Sequence, residues 1–322
     1  LRGGATVHCV DNLITSHRFG VDQLRNHNRF RFYEIDVTDQ RFIWKFSGTP
    51  YREIYHLACP TGVPNILSLG EEMIETCSTG TANVLKLARL SGARVLLTSS
   101  CEVYGDPEVF PQSEDYTGNV DTTGPRSAYE EGKRFSEALI ALYHRKYGVD
   151  GRIVRIFNTY GPFMSPDDQR VIPQFLSRHL RKQRLTVFGD GTQRRTFLYV
   201  DDLLAGFEAV MRRGEAGAVY NIGGCESITI RELCRIVESA VEGRFKVDFK
   251  PHFIADHAGR MPDLTRIQAI GWRPAVDLAD GVRLSLDSMR ERIRNASRTS
   301  RRRRFDRVEP DLLGARQPGA MA

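Results

Sequence analysis

Residues 94–100 read Arg94-Val-Leu-Leu-Thr-Ser-Ser100, the stretch 129–147 opens with Tyr129-Glu-Glu-Gly-Lys133, and residues 151–157 read Gly151-Arg-Ile-Val-Arg-Ile-Phe157. The first and last are short apolar runs, the pattern of buried strands. Tyr129 to Tyr147 carries its apolar residues at helical spacing, which predicts an amphipathic helix. Strand, helix and strand in succession predict parallel strands joined by a crossover helix. Working outward, Ala5 to Val10 is a further strand ending at Asp11-Asn12, Phe30 to Ile35 one ending at Asp36, and Glu53 to Ala58 another. Glu71 to Leu90 has helical spacing, with Met73, Ile74, Cys77, Val84, Leu85 and Leu87 mostly on one face. The fold class expected is α/β, a doubly wound parallel sheet covered on both faces.

Beyond Gly161-Pro162 the elements are shorter and mixed. Val171 to Gln183 reads as a helix, Leu185 to Phe188 and Thr196 to Val200 as strands, Asp202 to Met211 as a helix and Ala218 to Ile222 as a strand. Thr229 with Glu232 three residues on is a capping box opening another helix. The expected domains are a cofactor-binding unit over 1–160, to which 196–222 return, and a smaller mixed α/β substrate-binding lobe from 161–195 and 223–288. Residues 289–322 read as a basic, disordered tail.

Of 322 residues, 41% are hydrophobic, enough for a substantial core, and the net charge is +6. The charge is local: residues 289–322 hold ten arginines against four acids, which leaves residues 1–288 neutral. A neutral globular part carries no basic nucleic-acid face, so no nucleic-acid partner is expected. No run approaches the ~20 apolar residues of a membrane span, so no membrane association is expected. The six cysteines show neither CxxC nor zinc spacing, and read as reduced thiols of a cytoplasmic protein without a metal site.

Asp11 stands at the end of a strand, where a carboxylate can take both ribose hydroxyls of a dinucleotide and favour NAD over NADP. The glycine-rich turn expected ~20 residues upstream falls ahead of Leu1. Leu1 to Gly4 reads as the end of the first crossover helix, and the first strand and glycine turn as missing from the sequence. Tyr129 and Lys133, four apart on a helix, share a face. An ammonium beside a phenol lowers its pKa and fits it to take a hydroxyl proton. This spacing alone is a weak signal.

Longer blocks are specific. Ser99 to Pro107, Pro111 to Tyr116, Gly124 to Arg134, Ile156 to Pro162, Arg170-Val171, Leu185 to Gly189, Gln193 to Arg195 and Arg260-Met-Pro-Asp263 resemble, in order, the UDP-glucuronate decarboxylases (UDP-xylose synthases). These are extended short-chain dehydrogenases acting on nucleotide sugars, with a Rossmann-type sheet. The resemblance runs from about Leu1 to Arg292.

It implies NAD as cofactor, a UDP-sugar as substrate, and a homodimer made through the Tyr129 helix. It gives Tyr129 the role of base on the C4 hydroxyl and Lys133 its support. Ser100 hydrogen-bonds the C4 oxygen, Glu102 faces the ring near C5, and Arg260 lies near the carboxylate-bearing end. Cofactor contacts are implied at Asp11, Asn12, Asp36, Val37, Leu57 and Ala58, with Tyr129 and Lys133. Substrate contacts are implied at Asn158, Arg170, Val171, Phe188, Arg195 and Arg260.

Five places depart from the family pattern, two of them Ser100, where Thr is usual, and Phe188, where Tyr is frequent. Cys101 stands before Glu102 where decarboxylases have Ser and 4,6-dehydratases an acid. A thiol is a poor substitute for that acid. Glu102 in turn disfavours a 4-epimerase, which carries a small or hydroxylic residue there. Thr76-Cys77-Ser78 replaces the usual Asn-Thr, and Pro60-Thr-Gly-Val-Pro64 a Ser-Pro-rich loop. The expected reaction is decarboxylation of UDP-glucuronate to UDP-xylose or its 4-keto pentose. The alternatives are a 4,6-dehydratase or 4-epimerase of the same fold, or a non-catalytic relative.

Overall fold

A computed structural model describes residues 1–251 and 259–305. Strands Glu53–His56, Arg94–Ser100, Gly151–Ile156 and Val219–Ile222 form a four-stranded parallel sheet, with Arg94–Ser100 and Gly151–Ile156 in its centre. Val7–Asp11 and Phe30–Glu34 pair in parallel as a separate two-stranded sheet. The α/β class and the parallel pairing are as the sequence pattern implies. Residues 1–4 differ from expectation: they make a turn, Gly4 N–H to Leu1 O at 3.0 Å, instead of a helix end.

Side chains alternate across each strand, so a strand buried on both faces must be apolar throughout. Val95, Leu97 and Ile153 pack on one side against Val84, Leu85 and Ala88 of the helix Thr81–Ser91 and Ile140 of the helix Ser127–Tyr147. Leu96 and Val154 pack on the other side against Leu203, Phe207 and Val210 of the helix Val200–Arg213. Burying each such side chain stabilises the fold by ~1.5–3 kcal/mol. Arg152, buried in its strand, donates to the carbonyls of Val210 and Met211 at 2.6 Å each and satisfies acceptors at the end of that helix.

The predicted helix over 71–90 is interrupted. Gly70–Glu75 and Thr81–Ser91 are α-helical, and Thr76–Gly80 between them is a π-turn, with the Thr81 N–H reaching back to Thr76 O. Ser78 Oγ donates to Ile74 O at 2.6 Å, a back-bond of the kind that bends helices.

A second core gathers Ile172, Phe175 and Leu176, Leu185 and Val187, and Leu233 and Val237. Thr229 caps the helix Ile230–Ala240 through the capping box with Glu232. The boundary at 289 is corrected by the structure. The last helix, Leu278–Phe305, runs through it, because Met289 is buried in the second core and Ile293 packs against it. Residues 306–322 lie outside the described residues. No helix among the described residues is long and apolar enough to cross a membrane.

Candidate active site

In an open parallel sheet, ligands bind beyond the carboxyl ends of the strands. Strand Arg94–Ser100 ends there in Ser100, whose Oγ accepts from Glu102 N at 3.2 Å and caps the 3-10 turn Cys101–Tyr104. The turn closes on Gly105 at φ +61°, where a Cβ would lie 1.9 Å from Asn119 O. Only glycine fits that approach. The tight turn projects Glu102 back over the strand end.

The helix Ser127–Tyr147 lies against this strand. Lys133 is buried, and its Nζ donates to Thr98 O at 2.9 Å. It also hydrogen-bonds the Cys59 thiol and stands 5.9 Å from the centre of the Tyr129 ring. Tyr129 shares a hydrogen bond with Ser100. From its spacing alone, Lys133 is expected to bring the phenol down. Burial is the stronger effect and pushes Tyr129 up to about 12, while Lys133 and the Ser100 bond pull it back only in part. Burial acts to lower the Lys133 ammonium, but Cys59, Cys77 and Tyr129 outweigh it and hold the pKa above the ordinary lysine range.

Glu102 is gripped by two arginines. Arg260, itself 5% exposed, places Nη1 2.6 Å from Oε1 and Nη2 3.0 Å from Oε2. Arg126 Nη2 is 2.5 Å from Oε2, and its Nε is 3.2 Å from Glu130. Burial favours the neutral acid, but Arg260 and then Arg126 win and hold Glu102 down at about 2. Arg260 also donates to Gly105 O at 3.2 Å and to Cys101 Sγ at 3.3 Å. Burial pushes the Cys101 thiol up, so it is a neutral space-filling group.

Arg126 was not expected in the site, because it stands at the start of the helix, 24 residues from Glu102. The only signal was an arginine just ahead of Tyr129. A second unexpected feature anchors the site from below. Ser99 Oγ and Arg155 both bond Glu137 of the Tyr129 helix, at 2.5 and 2.8 Å. Arg155 also donates to Tyr104 Oη at 3.0 Å, and Tyr104 Oη donates to Asn221 at 2.8 Å. This buried network fixes helix, strand and turn relative to one another.

At the other sheet, Asp11 ends its strand. Its Oδ1 accepts from Leu13 N at 2.7 Å and Ser16 Oγ at 2.9 Å, with no such bond to Oδ2 among the described residues. Asn12 Nδ2 donates to Asp36 Oδ2 at 2.6 Å, which joins the two strand ends. Val37 is buried, and its carbonyl accepts from Asn83 at 2.9 Å. Leu57 is exposed and Ala58 half-buried, both just past the end of Glu53–His56. A carboxylate with a free oxygen at a strand end fits a ribose diol, and Lys133 with Tyr129 fits the reacting end of a nicotinamide nucleotide.

The residues expected to hold substrate are more dispersed. Asn158 is exposed past the strand Gly151–Ile156 and donates to Thr196 O at 3.3 Å. Arg195 lies close enough to Cys101 to act on its thiol. Phe188 ends its strand partly exposed, and Val171 opens the helix Val171–Leu180. Arg170 is turned to Asp168 at 2.6 Å on the surface.

The chain is 40% identical over 291 residues to UDP-glucuronic acid decarboxylase 4 of Arabidopsis thaliana, covering 90% of this chain and 64% of that protein. It thus spans 64–66% of the length of such curated relatives, less than two thirds. Among solved structures, UDP-glucose 4-epimerase of Thermotoga maritima with UDP-glucose superposes with a TM-score of 0.82 at 26% identity, over 91% of this chain and 93% of that one. A double mutant of DesIV, the dTDP-glucose 4,6-dehydratase of Streptomyces venezuelae with NAD and DAU bound, gives 0.80 at 28% identity, over 88% and 87%. The model of the NAD dependent epimerase/dehydratase family matches residues 1–223, which include the whole Ser100, Glu102, Tyr129 and Lys133 cluster. By that match and by its likeness to the decarboxylases, the chain belongs to the NAD dependent epimerase/dehydratase family.

Proposed function

We propose that this chain is an NAD-dependent UDP-glucuronate decarboxylase. The observation that carries the reading is the cluster at the end of strand Arg94–Ser100. Tyr129 and Ser100 share a hydrogen bond beside Lys133, and Glu102 is held by Arg260 and Arg126. The 40% identity to a UDP-glucuronic acid decarboxylase supports the substrate.

When bound, NAD would supply the two-electron acceptor for C4. Lys133 opposes the burial that keeps Tyr129 protonated. Asp11 holds the adenosine ribose, with Asn12, Asp36, Val37, Leu57 and Ala58 around the cofactor. Tyr129 takes the proton of the C4 hydroxyl as C4 is oxidised, and Ser100 holds the same oxygen. The C6 carboxylate then lies β to a ketone. On loss of CO2 the electron pair moves to the C4 oxygen, where Ser100 and Tyr129 hydrogen-bond the enolate. C5 is reprotonated, and re-reduction at C4 gives UDP-xylose; without it the 4-keto pentose leaves.

Arg260 presents its guanidinium near the sugar carboxylate, while Arg126 is shared between Glu102 and Glu130. Asn158, Arg170, Val171, Phe188 and Arg195 hold the nucleotide and diphosphate. Guanidinium suits this by its planar paired donors.

The assembly proposed is a homodimer. Phe135 and Leu142 lie seven apart on the Tyr129 helix, 50% and 44% exposed, and Ile74 on the helix packed beside it is 51% exposed. An apolar face of this kind on two neighbouring helices suits a second copy. The setting proposed is the cytoplasm, where the free thiols stay reduced.

The test is direct. The chain is incubated with NAD and UDP-glucuronate, and CO2 and the sugar product are followed by mass. Loss of one CO2 supports the reading. Inversion at C4 without mass change would make it an epimerase, and loss of water from a neutral hexose a dehydratase.

A further inference from the structure

Cys59 and Cys77 meet beside Lys133. Their sulfurs are 3.8 Å apart, although the residues lie 18 apart in sequence. Cys59 follows the strand Glu53–His56 and is half-buried, with its Sγ also 3.6 Å from Pro60 O. Cys77 is buried in the π-turn Thr76–Gly80. The wide turn and Gly132 together make the site. A Cβ on Gly132 would lie 3.3 Å from Cys77 Sγ, so the missing side chain lets the Tyr129 helix close over the sulfur. Neither cysteine has a part in the proposed decarboxylation.

We infer that Cys59 and Cys77 form a redox-active thiol pair, a modification site that hydroperoxides convert to a disulfide next to Lys133. The inference stands independently of the sugar substrate. Two thiols in van der Waals contact need only a small shift to bond, and the partial exposure of Cys59 admits a small oxidant.

The charge environment supplies a nucleophile. The two thiols share one hydrogen bond, and burial opposes ionisation of either. Lys133 draws on both sulfurs and bonds Cys59, so the pair is set to hold one thiolate and one thiol.

With hydrogen peroxide, the thiolate of the pair attacks one peroxide oxygen, the O–O bond breaks, and its electron pair leaves with the other oxygen, which becomes water on taking a proton. That cysteine is now a sulfenic acid. The sulfur of the other, losing its proton, attacks it, and the S–O bond breaks with release of a second water. In sum, two thiols are oxidised by two electrons and one hydroperoxide is reduced. A thiolate beside Lys133 has become an uncharged bridge, and the ammonium keeps Thr98 O and the Tyr129 side as its partners.

The full chain is reduced, desalted, treated with a small excess of hydrogen peroxide, alkylated with iodoacetamide and digested with trypsin. No Lys or Arg lies between Arg52 and Lys86, so one tryptic peptide, 53–86, carries both cysteines. The expected peptide has lost two hydrogens and takes up no iodoacetamide. It regains two alkylation sites after dithiothreitol, and it is consumed before the peptide bearing the exposed Cys225. Two alkylated cysteines after peroxide, or irreversible oxidation of either one without a bridge, would overturn the proposal. So would Cys225 reacting first. In Cys77→Ser, Cys59 is expected to stay alkylatable under the same dose. The unaltered chain decides the question even if that variant folds poorly.

Discussion

Arg260 meets Glu102 with both terminal nitrogens, 2.6 Å from one carboxylate oxygen and 3.0 Å from the other, and Arg126 reaches the second oxygen at 2.5 Å. One carboxylate thus serves two guanidinium groups, and Glu130, 3.2 Å from Arg126 Nε, balances the second charge. The same grip keeps Glu102 ionised down to about 2, so at neutral pH it acts as an anion and a hydrogen-bond acceptor, not as an acid.

Glu102→Gln keeps the shape and removes that charge. The buried Arg260 then loses its carboxylate while Arg126 keeps Glu130, which is expected to cost about 3 kcal/mol in urea unfolding, the scale for breaking a buried pair. C4 oxidation, followed as NADH absorbance, is expected to survive better than CO2 release. Equal loss of both would remove Glu102 from the steps after oxidation.

Tyr129→Phe removes the proton acceptor and keeps the ring. C4 oxidation is expected to fall by roughly two to four orders of magnitude, the range for loss of a general base. The urea midpoint should move little, since the variant loses one hydrogen bond, to Ser100. A variant with most of its oxidation rate intact would place the base elsewhere.

The strands that build this site were legible because each is a short apolar run that ends in a polar residue at the sheet's carboxyl edge. Ser100 and Asp11 are such ends. Tyr129 and Lys133 were legible by spacing on one helix. Arg126 was not, because its partner Glu102 is distant in sequence and the contact exists only once the turn at Gly105 has closed. The π-turn at Cys77 was also hidden, since a break of one residue leaves helical periodicity almost intact. The pairs Arg194–Arg195 and Leu198–Tyr199 are too short to show alternation; they replace the single expected strand over 196–200.

Asp11 has one oxygen committed to Leu13 and Ser16, and the other faces away from them. If that oxygen takes a ribose diol, Asp11→Ser is expected to weaken NAD about ten- to a hundredfold, the worth of hydrogen bonds to a charged group. NADP, whose phosphate the carboxylate repels, should bind more weakly than NAD to the unaltered chain and gain in the variant. Equal titration of both nucleotides by the unaltered chain would exclude this role.

Two changes on the last helix separate packing from sequence bulk. Met289 is 4% exposed in the second core, so Met289→Ala is expected to cost about 2–4 kcal/mol. Removal of residues 298–322, which begin past Ile293, is expected to leave the urea midpoint and turnover unchanged. A large loss on that truncation would give the arginine-rich segment a structural or catalytic part.

His56 gives the chain an acid limit of its own. The ring is buried at the end of its strand, with Nε2 3.0 Å from Thr81 Oγ1, which donates on to Ser136 at 3.2 Å. Burial, and after it the Lys133 ammonium, push its pKa from 6.5 down to about 3. In the unfolded chain the ring takes a proton below about pH 6.5. In the folded chain it stays neutral until about 3. Between those values the unfolded state binds one more proton, so stability falls as pH drops, by about 1.4 kcal/mol per pH unit. The full contribution is present above 6.5 and none is added by raising the pH further. Urea unfolding at a series of pH values from 7.5 to 5, roughly one decade of acid on either side of the ordinary histidine range, measures this slope. His8 and His179, also lowered by burial, add smaller slopes in the same window. In His56→Asn, which can still bond Thr81, the slope is expected to flatten by close to one proton. An unchanged slope would mean that His56 is already protonated in the folded chain, with its charge accommodated beside Lys133.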